Sequence, residues 1–167
     1  MDAGLEPASA RAAAERGFPY AYAHFLRPDE ARESASAYLR HFRPSATEPE
    51  PTLLIAVSAV CADSRSEAEA LALSARVVQR RMRLDQTGPV PAIAEARAEL
   101  EAAGALPAID TRHPGFIGTG PELRNAFHEL SQALGADEIM VNTVVHSHEA
   151  RLRSYELLAQ HVHPGRL

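Results

Sequence analysis

A few side chains in this sequence have the types and spacing that chemistry needs. His24 closes a short aromatic and apolar run from Phe18 to Phe25. An imidazole titrates near neutrality, so it can pass a proton or orient a polar ligand. His146 and His148 stand two apart after a second such run, Ile139 to Val145. Residues two apart on a strand share a face, so two imidazoles can meet one metal ion there. No third ligand at a sensible spacing joins them, and Ser147 between them suits a helix cap. They therefore read as polar turn residues, with no metal, while His161 and His163 fall in a terminal tail. Cys61 is the sole cysteine, late in an apolar run with no histidine beside it, and reads as a small buried hydrophobe. Gly118-Thr119-Gly120 offers backbone N–H groups that can cradle an anion, or glycines that simply allow a tight turn.

The elements that must position these residues alternate. Pro7 to Arg16 reads as a helix stopped by Gly17, and Phe18 to Phe25 as a strand. A helix opens at Pro28 with Ala31, Ala35, Leu39 and Phe42 on its apolar face. Pro44 to Pro51 is a linker. Thr52 to Ala62 is the most apolar run and reads as the central strand. Ser64 and Glu67 have the capping-box spacing, and Leu71, Ala75, Val78 and Met82 give the next helix its buried stripe. Residues 84–114 break the rhythm with scattered Gly and Pro and one surface helix from about Ala92 to Ala103, an insertion or lid.

A short strand then enters the Gly118 turn, and Pro121 and Glu122 open a helix with Leu123, Phe127, Leu130 and Leu134 on one side. Gly135 closes it as a left-handed cap. Ile139 to Val145 suits a parallel strand covered on both faces, and Ser147 caps a last helix carrying Leu152, Tyr155, Ala159 and Val162 on one face.

A leading helix followed by four strand–helix units means an α/β fold with parallel strands and right-handed crossovers. A small open sheet fits this, and so does part of a (β/α)8 barrel, whose complete form needs roughly 250 residues. The leading helix, without a strand of its own, favours the second. The chain has 167 residues and a formal charge of -5, without a Lys/Arg block. That balance argues against nucleic acid and against a basic membrane patch. Residues 53–62 are too short to span a bilayer. The first residues lack an apolar signal core, and the single cysteine fits a reducing cytoplasm.

The motifs, taken in order, resemble a known family. Ser9-Ala10-Arg11-Ala12-Ala13-Ala14-Glu15-Arg16-Gly17-Phe18-Pro19, then Phe42-Arg43-Pro44-Ser45, then Phe116-Ile117-Gly118-Thr119-Gly120-Pro121-Glu122, then Gly135-Ala136-Asp137-Glu138-Ile139-Met140-Val141 and His148-Glu149-Ala150-Arg151-Leu152-Arg153-Ser154-Tyr155 resemble, in register, luciferase-like flavin-dependent monooxygenases. The glycine turn departs by one inserted Gly. The resemblance implies the C-terminal half of a TIM-barrel-like (β/α)8 fold, with residues 1–167 forming a single partial domain.

It also implies a cytoplasmic oxidoreductase that uses reduced FMN or a deazaflavin, acting on paired donors with incorporation or reduction of molecular oxygen. Its partners would be the flavin and a small organic substrate. It places Ser9 at one member of a hydroxyl pair that holds the flavin phosphate. The other member falls at Glu6, a carboxylate, and Leu5 and Pro7 also depart. It places His24 close to the flavin ring, and it puts the phosphate elsewhere than the Gly118 turn. Turnover by such a half alone would be weak or nil. The alternative is a non-catalytic half-barrel module that forms a homodimer, packs on a complete homologue, or pairs with a complementing N-terminal half, because open sheet edges invite pairing.

Overall fold

A computed structural model describes residues 7–105 and 115–162. The elements run α1 (Pro7–Glu15), β1 (Tyr20–Ala23), a 3-10 turn (Pro28–Glu30), α2 (Ala31–His41), β2 (Leu53–Cys61), α3 (Arg65–Arg83), α4 (Ile93–Ala102), β3 (Phe116–Gly118), α5 (Gly120–Leu134), β4 (Glu138–Asn142) and α6 (His148–His161). The expected alternation is present, and the fold is α/β with a parallel sheet. β2 is central, as its apolar run requires. It pairs in parallel with β1 from Tyr20↔Leu53 to Ala23↔Ala56, and in parallel with β3 from Ala59↔Phe116 to Cys61↔Gly118. β4 also pairs with β2.

Two compact units emerge. The first comprises the described residues up to Val57 together with Ala126–Val141; the second comprises Ser58–Asn125 and the residues from Asn142 onward.

In the first unit α1 packs on α2 through small side chains, with Ala10, Ala14, Ala31 and Ala35 buried. Gly17 ends α1 at φ +63°, and a Cβ there would stand 2.6 Å from Arg43 O, so only glycine lets the chain turn this closely. The start of β2 is pinned to the chain before β4: Leu53 N–H donates to Asp137 Oδ2 (2.8 Å), and Asp137 N–H donates back to Leu53 O (2.9 Å). Gly135 adopts φ +67°, the left-handed cap expected after α5. Leu123, Phe127 and Leu134 are buried and Leu130 half-buried, so the α5 stripe holds. On α2 the buried aromatic is Tyr38; Leu39, expected inside, is exposed. Tyr38 sits one position away and wins the interior because its hydroxyl finds two backbone partners there.

In the second unit Ser64 caps α3 by accepting from Glu67 N–H (3.2 Å). The α3 stripe departs from expectation. Leu71 is buried, but Ala75 and Val78 are half-buried and Met82 is 63% exposed. The helix instead buries Ala68, Leu71 and Ala72 against Val60, Ala62 and Val145, and turns Leu73 and Val77 toward Ala96 and Leu100 of α4. The helix expected on the surface, α4, therefore supplies the partner that swings the buried face of α3. Likewise α6 buries Ser154, Leu157 and Leu158, and leaves Leu152 and Tyr155 exposed.

β4 also differs. Its side chains alternate between exposed and half-buried, with Met140 54% exposed, rather than covered on both faces. Hydrophobic patterning registers what a segment is built to bury, not whether its cover is present. Among the described residues, no helix is long and apolar enough to cross a membrane.

Candidate functional site

The sequence around β1 alternates Tyr20, Ala21, Tyr22, Ala23, His24, and a strand sends alternate side chains to one face. Tyr20, Tyr22 and His24 accordingly point inward and are buried, whereas Ala21 is exposed. Tyr20 meets Ser9 in the first turn of α1, with Oη and Oγ 3.3 Å apart. Its ring packs on Tyr38 at a centroid distance of 5.4 Å. Tyr38 donates to Phe18 O and accepts from Thr52 N–H, both at 3.1 Å, which locks the ring between the two strand starts. Tyr22 donates to Arg27 O at 2.6 Å. Burial, with Glu30 adding to it, pushes its phenol up to about 12, and burial likewise raises Tyr20 and Tyr38.

Ser34 of α2 lies beside both the Tyr20 and Tyr22 phenols. Its Oγ is fully buried and makes no well-formed hydrogen bond. A buried hydroxyl left over in this way is unusual, because it gives up its water without compensation.

His24 ends β1 at 9% exposure. Burial lowers its pKa, so the ring is neutral at pH 7 and offers one donor and one acceptor nitrogen. Ser9 and His24, the two residues singled out from the sequence, thus sit at α1 and at the end of β1, within one unit. Between them lie Tyr20, Tyr22 and Ser34, which sequence reading did not single out. The alternating tyrosines carried the signal for two of them. Ser34 carried none, since only the packing of α2 on β1 brings it there. Glu6, expected to repel phosphate, lies outside the described residues. α1 carries no acidic residue in its first turn. The donors present, a hydroxyl set and the N–H groups of a helix start, are the kind that accept a phosphate ester.

The turn after β3 is different. Thr119 N–H and Oγ1 both donate to Glu122 Oε2, at 2.8 and 3.1 Å, and Leu123 N–H returns to Thr119 O at 3.0 Å. Arg65 takes the other Glu122 oxygen at 3.1 Å. These bonds hold the Glu122 carboxyl below its usual range, the Thr119 backbone contributing most. Both donors of Thr119 are spent on the chain's own carboxylate. Asp63 and Arg153, ninety residues apart in the chain, form a two-pronged pair at 2.7 and 3.1 Å.

His146 and His148 do not converge on one ion. His146 Nδ1 lies 2.8 Å from Val90 O; a carbonyl only accepts, so that nitrogen carries the proton. His148 Nδ1 lies 2.8 Å from Arg151 Nη2; a guanidinium only donates, so this nitrogen is bare and, in the neutral ring, Nε2 carries the proton. The two rings are tied to opposite partners in opposite tautomers. Among the described residues, no group of three or more His, Cys, Asp and Glu is placed to hold a metal.

The bond from His146 also belongs to a fastening of the 84–105 stretch. Arg81 donates to Pro89 O (2.9 Å), His146 to Val90 O, and Ser74 to Pro91 O (2.8 Å). Three consecutive carbonyls that no secondary structure uses are thereby satisfied. Residues 106–114 of the expected insertion lie outside the described residues, as does His163. Cys61 is buried, and burial, with Asp63 adding to it, pushes its thiol up, away from nucleophile chemistry.

No protein-family model matches the chain. A luciferase-like monooxygenase of Escherichia coli strain K12 is 30% identical over 153 residues, covering 89% of this chain and 45% of that relative. The crystal structure of apo-MsnO8 superposes with a TM-score of 0.85 at 32% identity, covering 98% of this chain and 50% of that one. The FMN complex of the oxygenating constituent of 3,6-diketocamphane monooxygenase, a type II Baeyer-Villiger monooxygenase of Pseudomonas putida, superposes with a TM-score of 0.61. At 18% identity that third likeness speaks for the fold alone; it covers 95% of this chain and 46% of that one. The chain spans about half the length of the relatives it matches.

Proposed function

The chain belongs to the luciferase-like monooxygenase family, and from that premise we propose that it is the part of a flavin-dependent oxidoreductase that receives the flavin at α1 and β1. The observation that carries this reading is the hydroxyl cluster at the first turn of α1: Ser9 joined to Tyr20, with Ser34 buried beside the Tyr20 and Tyr22 phenols. In it Ser9 and the α1 N-terminus hold the FMN phosphate, and His24, neutral and nearly buried, hydrogen-bonds the ring. Support for FMN comes from the fold relative solved in complex with it; a deazaflavin carrying a phosphate is held by the same groups. Reduced flavin supplies the chemistry with oxygen, and the chain's own residues bind, orient and exclude water. By itself the chain turns over weakly or not at all, since about half of its relatives' length lies outside it.

Titration of the chain with FMN and with riboflavin, read by flavin fluorescence, tests the reading. FMN is expected to bind at least tenfold tighter than riboflavin, and Ser9→Asp to erase that difference. Unchanged fluorescence at millimolar FMN sinks it.

A second reading has its own observation. β4 exposes Met140 and α6 exposes Leu152 and Tyr155, which favours a half-barrel module that pairs with another half, with a second copy or with a complete homologue, whether or not it binds flavin. The lone cysteine, buried and free, suits a reducing cytoplasm for either.

A further inference from the structure

Helix α6 carries apolar side chains on two faces. The inner face holds Ser154, Leu157 and Leu158, all buried. The outer one holds Leu152 at 49% exposure and Tyr155 at 38%, then exposed Ala159, with half-buried Val162 just past the helix end. Steps of three, four and three residues keep these four on one stripe. A helix apolar on two sides is built to lie between two layers, and among the described residues only one covers it. The stripe is also prepared for contact. Tyr155 Oη accepts from Thr143 N–H at 3.2 Å, so its ring is held rather than loose. The charges flanking it are already committed: Arg151 to His148 at 2.8 Å, and Arg153 to Asp63 at 2.7 Å and to Glu156 at 3.5 Å. Covering the stripe would leave few charges stranded.

β4 gives an independent sign of a missing layer. Met140 is 54% exposed between half-buried Ile139 and Val141, although an apolar strand in a parallel sheet is normally covered on both faces. The superposition on apo-MsnO8 says what the cover would be. It takes in 98% of this chain but 50% of that one, so the same fold continues for an equal length outside this chain's span. Closure of a strand–helix barrel lays its first unit against its last and leaves no edge.

We infer that the outer stripe of α6, Leu152–Tyr155–Ala159, is a docking face, and that its occupant is a polypeptide carrying the complementary half of a luciferase-like barrel. This deepens the pairing reading above; it rests on kinship of fold and is independent of flavin.

The test co-expresses the chain with a tagged fragment of the Escherichia coli luciferase-like monooxygenase, namely the stretch outside the matched 45%, without added flavin. Affinity capture followed by size exclusion should recover a one-to-one complex. Leu152→Glu should weaken it at least tenfold while leaving the chain's own thermal melt unchanged, because the side chain is half exposed in the free chain. Arg97→Glu, on the exposed side of α4, should leave it intact. No complex, a complex indifferent to Leu152→Glu, or a homodimer that Leu152→Glu dissolves would each overturn the assignment. Failure of flavin binding alone would leave it standing.

Discussion

The end of β1 and the turn after β3 are both passages at the edge of a parallel strand, yet they treat their polar atoms in opposite ways. Around β1 the polar groups are hydroxyls and one neutral imidazole, buried, drawn from three segments, with Ser34 beside two phenols. After β3 the polar groups are charges at the surface, and Thr119, Glu122 and Arg65 satisfy one another. In Thr119-Gly120-Pro121-Glu122 both donors of Thr119 close on Glu122, three residues on. The β1 cluster is assembled from α1, β1 and α2, and its polar atoms are hydroxyls and a neutral imidazole rather than charges. Unused capacity marks a place for a ligand better than the presence of donors does, because a turn rich in N–H groups offers nothing once its own side chain has taken them.

The sharpest way to break this contrast is to remove the scaffold on one side. Tyr38 is fully buried, stacks on Tyr20, lies near Phe42 and joins the chain at Phe18 to Thr52. Tyr38→Ala should cost about 3–5 kcal/mol, the range for deleting a buried aromatic, read as a shift in the urea midpoint. Gly17→Ala should cost less, about 1–2 kcal/mol for the left-handed backbone, plus whatever the approach of its new Cβ to Arg43 O forces. A loss below about 0.5 kcal/mol in either would mean that the β1 region is not the rigid frame described here.

Ser34→Ala probes the cluster itself. The Ser34 hydroxyl is fully buried beside two phenols but makes no well-formed hydrogen bond, so the variant should be about as stable as the parent, while its affinity for FMN falls. A loss of stability instead would show that Ser34 is already satisfied, and would remove the basis for a ligand at this cluster.

How much of this was legible beforehand follows the range of the interactions. The caps at Ser64 and Ser147 and the left-handed Gly135 depend on neighbours within a few residues, and the sequence announces them. The central place of β2 shows in nine apolar or small residues running together. The buried face of α3 was misread beyond Leu71, because Leu73 and Val77 answer to Ala96 and Leu100, about twenty residues downstream and in a helix whose composition suits a surface. Leu39 was read inward where Tyr38 is, since a hydrophobic pattern does not weigh two backbone hydrogen bonds made by a phenol. At the candidate site, position along a strand found His24, and resemblance found Ser9. Ser34 depends on helix-to-strand packing that no local pattern encodes.

Acid titration sharpens the contrast further. His24 is held below its ordinary pKa of 6.5 by burial. The unfolded chain therefore takes up this proton at a higher pH than the folded chain does. Between those two pKa values the unfolded state binds more protons, so stability falls as pH drops below about 6.5 and is insensitive to this group above it. Melting temperatures recorded from pH 7.5 to 5 should show that decline, and His24→Gln should flatten it. A decline of equal size in His24→Gln would place its origin in other groups.

The smallest effect belongs to the turn after β3. Glu122 is exposed, so its depressed pKa reflects bonds at the helix start rather than burial. Its contribution is present above pH 4.5 and is lost as pH falls through the lower folded pKa. Glu122→Gln keeps an acceptor for Thr119 N–H but gives up the charge beside Arg65 and at the positive end of α5, a small effect at this exposed site. The same substitution also decides a point about anions. If the turn is closed by its own carboxylate, Glu122→Gln should leave FMN affinity untouched, whereas Ser9→Asp should bring it down to that for riboflavin. Were Glu122→Gln to tighten FMN binding, the phosphate would be competing for the turn's donors, and the assignment of the phosphate to α1 would have to move there.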